Sequence, residues 1–173
     1  TFFVGGPDDA PTAEQRRLYT LTLKSAIAGM TARVPRGASG AQIDGITRRP
    51  LWSEGLDYAH GTGHGVGINV HEAPPSIGKT ATTTVEPGHV FSIEPGLYID
   101  GVGGVRIENL CTVRDDAAHP GFVQVEPLTF APLDGRLIDL ALLDAVESNF
   151  LRGYTERGMS ELGEEVTSRS AVG

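Results

Sequence analysis

Seven residues, Gly61 to Gly67 (GTGHGVG), hold four glycines at alternate positions, and no other stretch restricts the possible folds as much. An interior glycine costs a helix about 1 kcal/mol relative to alanine, so four in seven residues predict extended or loop structure. A residue without a Cβ also lets a second backbone or a ligand approach closely. Three of the five histidines, His60, His64 and His71, fall in or beside this stretch. Imidazole is the commonest metal ligand and titrates near neutrality. Glu94 in FSIEPG, then Arg106 and Glu108 in GVRIENL, follow downstream. This combination reads as a metal-hydrolase site rather than as a packed core. The 23 glycines of the 173 residues gather between 61 and 104, about twice ordinary usage. Tight loops around a site produce such a pattern.

Spacing limits what the histidines can share. On a helix His60 and His64 would lie on one face, but the glycines argue against a helix. In an extended chain they point the same way yet sit about 13 Å apart. Both cannot then bind one ion, so one ligates and the other at best meets substrate. Glu94 and Glu108 each stand on the polar side of an apolar strand, where an isolated charge is costly to bury. A divalent cation would neutralise both, and mixed imidazole and carboxylate ligation suits Mn, Co, Fe or Zn. The plainer readings are an Arg106–Glu108 pair on a solvated sheet face and histidines that are hydrogen-bonded loop residues. His89 and His119 stand near Pro-Gly turns and are expected to face solvent. Other motifs fail. Gly78-Lys79-Thr80 resembles the end of a phosphate loop, but Ala73 occupies its first glycine position, and Val66 breaks a GxGxxG count from Gly61. There is no GxSxG, CxxC or HExxH.

Along the chain, TFFV (1–4) reads as the end of a strand and GGPDDAP as a loop. A long helix follows. Thr12 and Gln15 form a capping box, and Leu23, Ala26, Ile27, Met30 and Val34 keep the spacing of one apolar face. Ser39 caps a second helix through Ile43, Ile46 and Trp52, kinked near Pro50. From His60 to Val113 the period falls toward two. VFSIEPG (90–96) and GVRIENLCTV (104–113) read as strands. The second turns Val105, Ile107, Cys111 and Val113 one way and Arg106 and Glu108 the other. FVQVEPLTFAPLD is a further extended segment. An amphipathic helix runs from Leu143 to Leu162, and the polar tail VTSRSAVG is expected to fray.

The length suits one domain with a single core. A net charge of −8, spread along the chain, argues against nucleic-acid or anionic-membrane partners. No apolar run reaches the ~20 residues of a membrane span, and TFFVGG, which has neither a basic nor an apolar leader pattern, is read as carrying no secretory signal. Cys111, the single cysteine, sits in an apolar run and reads as a buried reduced thiol. A cytoplasmic location fits these features.

HGTGHGVG (60–67), NVHE (69–72), SIEPG (92–96) and GVRIEN (104–109) resemble the successive signatures of the pita-bread metallopeptidases, in their aminopeptidase P (Xaa-Pro aminopeptidase) branch. Thr1-Phe2, EQRRLY (14–19) and EPLTFAPLDGRLIDLALL (126–143) extend the likeness over nearly the whole chain. The resemblance implies an α+β fold, a curved antiparallel sheet backed by helices. Residues 1–173 would be the C-terminal part of one catalytic domain, with about 128–173 as a C-terminal extension. It implies His64, Glu94 and Glu108 as metal ligands, His60 and His71 as substrate-facing residues, Glu94 as proton carrier, and Arg106 as the residue orienting Glu108.

The family's dinuclear centre takes five ligands. Its two aspartates, and an additional histidine, belong to segments upstream of Thr1. The intact protein is therefore expected to hold two divalent ions, manganese first, with cobalt or zinc as alternatives. Residues 1–173 would hold at most one, weakly, without efficient peptidase activity. By the same resemblance, the chain looks two residues shorter between Gly67 and Asn69 than the larger relatives and matches the shorter-form members. The implied substrate is a peptide with proline second, and the implied assembly of the intact protein is a homodimer. Two other readings stand beside this one, a prolidase-type Xaa-Pro dipeptidase and a non-catalytic pita-bread binding module. The module would have no chemical reason to keep His64, Glu94 and Glu108.

Overall fold

A computed structural model describes residues 1–163 apart from Pro7. The tail VTSRSAVG (166–173) lies outside the described residues. The first helix, α1 (Ala13–Met30), begins at the predicted capping box: the Thr12 hydroxyl accepts from the Gln15 amide, and the Gln15 side chain accepts from the Thr12 amide. Its burial exceeds the single predicted face, since Leu18 to Leu23 are all buried. Leu18 and Leu21 pack with Leu51, Tyr58 and Leu97, while Tyr19, Leu23, Ala26, Ile27 and Met30 join the main core. Two buried threonines make this possible. Thr20 and Thr22 donate their hydroxyls to the carbonyls of Arg16 and Leu18 one turn back, which satisfies them without water.

Val34, assigned by period to this helix, lies instead in β1 (Arg33–Pro35). Pro35 disfavours helical backbone at the residue before it, and that overrides the spacing. The second helix, α2 (Gly40–Trp52), starts after Ser39, whose amide donates to the Gln42 side chain. It contains Pro50 in its last turn and buries Ile43, Asp44, Thr47, Arg48 and Leu51. Trp52, expected on its apolar face, is exposed.

The remaining strands are β2 (Gly63–Gly65), β3 (Glu72–Ile77), β4 (Val90–Ile93), β5 (Gly96–Ile99), β6 (Gly103–Arg106), β7 (Asn109–Asp115) and β8 (Phe122–Pro127). Six form an antiparallel sheet in the order β1-β8-β7-β4-β2-β3, and β5 and β6 form a separate hairpin. The predicted strand 104–113 is thus two strands in two sheets. Its in-and-out alternation passes unbroken through Ile107 and Glu108, so the pattern alone conceals the break. TFFV is irregular rather than a strand: Thr1 Oγ1 exchanges hydrogen bonds with the backbone of Arg106, and the Phe3 amide donates to Asp134. Only the first half of 122–134 is extended in a ladder, and Pro127 closes it.

The third helix, α3 (Ala145–Leu162), is capped by Asp144 and Glu147 in a capping box. It is tied to the sheet through Tyr154, whose hydroxyl meets Asn109 and Ala131. The main core joins α1 and α3 to the sheet through Phe91, Ile93, Cys111, Val113, Val123 and Val125. Cys111 is free and buried, and burial pushes its thiol up to about 12. Among the described residues, no helix is long and apolar enough to cross a membrane.

Candidate metal centre

The glycines of the opening stretch act through space rather than through unusual backbone angles. None of Gly61, Gly63, Gly65 and Gly67 has a positive φ. At Gly63 a Cβ would stand 1.7 Å from the Ser92 carbonyl oxygen, so β2 approaches the β4 chain as only glycine permits. This contact carries His64 beside Ser92 and Glu94. The His64 amide donates to Ser92 Oγ, and Ser92 Oγ donates to Glu94 Oε1. Thr62 completes the attachment by accepting the Glu94 amide on its carbonyl.

His64 Nδ1 lies 2.9 Å from the Gly65 carbonyl. A carbonyl only accepts, so Nδ1 carries a proton, and in the neutral ring Nε2 is the nitrogen that can offer a lone pair. That Nε2 is 3.3 Å from Glu94 Oε1. Glu108, in the link between β6 and β7, brings a third donor. One atom each of His64, Glu94 and Glu108 lie within 4.8 Å of one another. Metal bonds near 2.1 Å gather three such atoms with shifts below about 1 Å. The burial is graded: Glu94 is buried, His64 half-buried and Glu108 exposed. The donor set therefore opens to solvent on one side.

The register of β3 brings the next histidine in. Gly65 pairs with Glu72 after an irregularity between His64 and Gly65, which places the His71 ring 4.3 Å from the His64 ring. His60 reaches the same cleft from the preceding loop. The cleft, about 260 Å³, is lined by His60, Gly61, Gly63, His64, His71, Glu94 and Arg106. His60, His64, His71 and Glu94 share this cleft, Glu108 joins His64 and Glu94 in the donor cluster, and His89 and His119 lie elsewhere. His119 is exposed and contacts Asp116, while His89 is half-buried, its Nδ1 accepting from the Glu86 amide.

Arg106 departs from the expected pairing. Its Nη1 donates to Glu94 Oε2 at 3.2 Å and its Nε to the Tyr98 hydroxyl at 2.8 Å. The hydrogen-bonded carboxylate is thus Glu94 where the resemblance implied Glu108, and Glu108 acts on Arg106 through its charge. The Tyr98 hydrogen bond and both acids raise the guanidinium pKa. Tyr98, having accepted from Arg106, is free to donate to His60 Nε2 at 3.1 Å. His60 Nδ1 is 2.7 Å from the Gly61 carbonyl, so it too carries its proton on Nδ1 and accepts on Nε2.

Three polar residues of this arrangement, Thr62, Ser92 and Tyr98, and the buried Arg48 behind it, which donates to the His60 carbonyl, carry no role in the sequence reading. Ser92 was legible in part, because it shares the polar side of its strand with Glu94. Arg48 had a signal too. It stands four residues after Asp44 on the helix face made by Ile43, Thr47 and Leu51, where a charged pair must be buried. Tyr98 and Thr62 have no spacing that distinguishes them.

An antiparallel sheet backed by helices, with an imidazole and two carboxylates converging at an open cleft, is the frame of a metallopeptidase. The sequence profile of metallopeptidase family M24 matches residues 1–115, and the chain belongs to that family. Its fold is the pita-bread fold of solved relatives. The X-prolyl aminopeptidase of Caenorhabditis elegans, described as a cytosolic enzyme with a di-nuclear active site, superposes with a TM-score of 0.83 at 38% identity, over 92% of this chain and 27% of that one. The Xaa-Pro dipeptidase of Bacillus anthracis gives 0.64 at 32% identity, over 76% of this chain and 34% of that one. Among curated relatives, a Verticillium alfalfae protein named "Probable Xaa-Pro aminopeptidase P" is 45% identical over 157 residues, 83% of this chain and 25% of its own length. A Sordaria macrospora protein of the same name is 45% identical over 84% of this chain and 25% of its length. The chain spans about a quarter of the curated relatives it matches.

Proposed function

We propose that this chain is the C-terminal part of the catalytic domain of a metal-dependent aminopeptidase, one that releases the first residue from peptides with proline second. Residues from about 128 onward form its C-terminal extension. The observation that carries this reading is the convergence of His64, Glu94 and Glu108, two of which, His64 and Glu94, line a cleft with His60 and His71. The donors suit a divalent ion, with manganese expected first and cobalt or zinc as alternatives. Two ions are proposed for the intact protein and at most one, weakly held, for these residues alone. A cytoplasmic homodimer completes the proposal, in line with the description of the nematode relative as cytosolic.

A bound divalent ion supplies Lewis-acid polarisation of the scissile carbonyl and of the attacking water. His64 presents the Nε2 lone pair, and Glu94 and Glu108 present the negative charge, that hold it. Glu94 takes the proton released in the attack and passes it to the leaving proline nitrogen. Arg106 and Ser92 keep the Glu94 carboxylate fixed while it does so. His71, beside His64, steadies charge on the carbonyl oxygen. A substrate that engages His60 Nε2 competes with Tyr98 for it.

In the complete protein, replacing His64 with alanine should lower turnover of an Xaa-Pro tripeptide by about a thousandfold or more. Undiminished turnover would remove the assignment. The likeness to the Bacillus anthracis dipeptidase favours one alternative, a prolidase-type enzyme with the same chemistry. Cleavage of an Xaa-Pro dipeptide in preference to a tripeptide would select it.

A further inference from the structure

Arg48 is the largest fully buried side chain of the described residues, at 1% exposure, and lies on α2 outside the cleft. Each of its three nitrogens is hydrogen-bonded. Nε donates to both Asp44 oxygens at 2.9 Å, Nη1 to Asp57 Oδ1 at 2.6 Å and to the Tyr58 carbonyl at 2.7 Å, and Nη2 to the His60 carbonyl at 2.7 Å. It also stacks on the Tyr58 ring, 3.7 Å from guanidinium carbon to centroid. The Tyr58 ring in turn lies 4.7 Å from that of His60. Asp44 closes the circuit from the other side, accepting from the Thr62 hydroxyl, while the Thr62 carbonyl holds the Glu94 amide.

A buried charge of this size is costly, and hydrophobic residues of similar volume often serve stability as well. What this arrangement provides is geometry. Two backbone carbonyls, at Tyr58 and His60, and the side-chain hydroxyl of Thr62 are tied to a single rigid fork and its carboxylate partner. We propose that Arg48 is a positioning residue for the cleft. It fixes the His60 carbonyl, and through it the imidazole, relative to Glu94. The catalytic consequence rests on the aminopeptidase reading; the positional one does not.

Arg48→Lys tests this best, because lysine keeps the charge but has no planar fork to span Asp44, Asp57 and two carbonyls. In the complete protein, 15N-histidine spectra should show the His60 ring nitrogens moving from one fixed tautomer toward averaged values. His119, exposed on a distant turn, should keep its signals. Turnover of an Xaa-Pro tripeptide should fall about tenfold with little change in KM. In a His60→Ala background the same substitution should cause no further loss. Asp57→Asn, which leaves Arg48 its other partners, should reproduce a smaller version of the His60 shift.

An unaltered His60 spectrum in Arg48→Lys, or equal turnover losses in both backgrounds, would overturn the proposal and leave Arg48 a purely structural residue. If the unsubstituted protein fails to cleave Xaa-Pro peptides, the aminopeptidase reading falls, and the His60 spectrum alone decides the positioning role.

Discussion

Asp57 joins the buried Arg48 to the surface, with Oδ1 on Arg48 and Oδ2 on Lys79 at 2.7 Å. Partial burial pushes its carboxyl up, but the two cations and the Tyr58 amide outweigh it and bring the pKa down to about 2. A carboxylate whose folded pKa is depressed stabilises the fold above its unfolded value and loses that contribution as pH falls. The window here runs from about pH 4 down to about pH 2. The side chain is 38% exposed, so solvent screening reduces the gain to about 1 kcal/mol. Denaturant titrations of Asp57→Asn should therefore show a stability deficit near pH 5 that shrinks toward pH 2.5. A constant deficit would mean that the charge of Asp57 does not matter to the fold. At this scale the sequence was informative wherever residue types repeat at telling intervals. The spacing of His60 and His64 implies different roles for the two, and the structure gives them different neighbours, Tyr98 for His60 and Glu94 for His64. It gave no notice of Tyr98, whose hydroxyl now accounts for the direction in which His60 points.

At the level of elements, β2 is three residues long and carries the imidazole of the donor set, so its distance from β4 is critical. Gly63→Ala would place a methyl against the Ser92 carbonyl, and the strands would have to separate. The expected destabilisation is about 3 kcal/mol, the upper range for forced overpacking. Thermal melting should detect it, and Gly45→Ala, with nothing within 4 Å of the added carbon, should be tolerated. Equal melting temperatures for the two variants would show that β2 has room to move. Elements with a chemical signal at their ends were readable in advance, as with α1 from Thr12 and Gln15. Boundaries set by a neighbour were not. Val34 fits the helical period, but Pro35 and the partner strand β8 decide its conformation. The segment 104–113 keeps one alternation throughout, although its halves join different sheets.

Across the whole molecule, the candidate metal centre lies where those two sheets meet. His64 belongs to the six-stranded sheet, while Arg106 ends the hairpin strand β6 and Glu108 sits in the passage from one sheet to the other. The convergence of three donors predicts that the 173-residue chain, reloaded with manganese after chelation, retains at most one ion by elemental analysis. Two tightly held ions would contradict the proposed ligand set. An ion gripped by both His64 and Glu108 would also act as a clasp across the seam. Amide exchange in Gly96–Ile99 and Gly103–Arg106 should then slow on metal addition, while β7 and β8, already paired along their lengths, should change little. The break at Ile107–Glu108 thereby acquires a mechanical meaning. A chain that ran straight through it would present its acid from a ladder, whereas this one presents Glu108 from the passage between two sheets, so that an ion held there would join them.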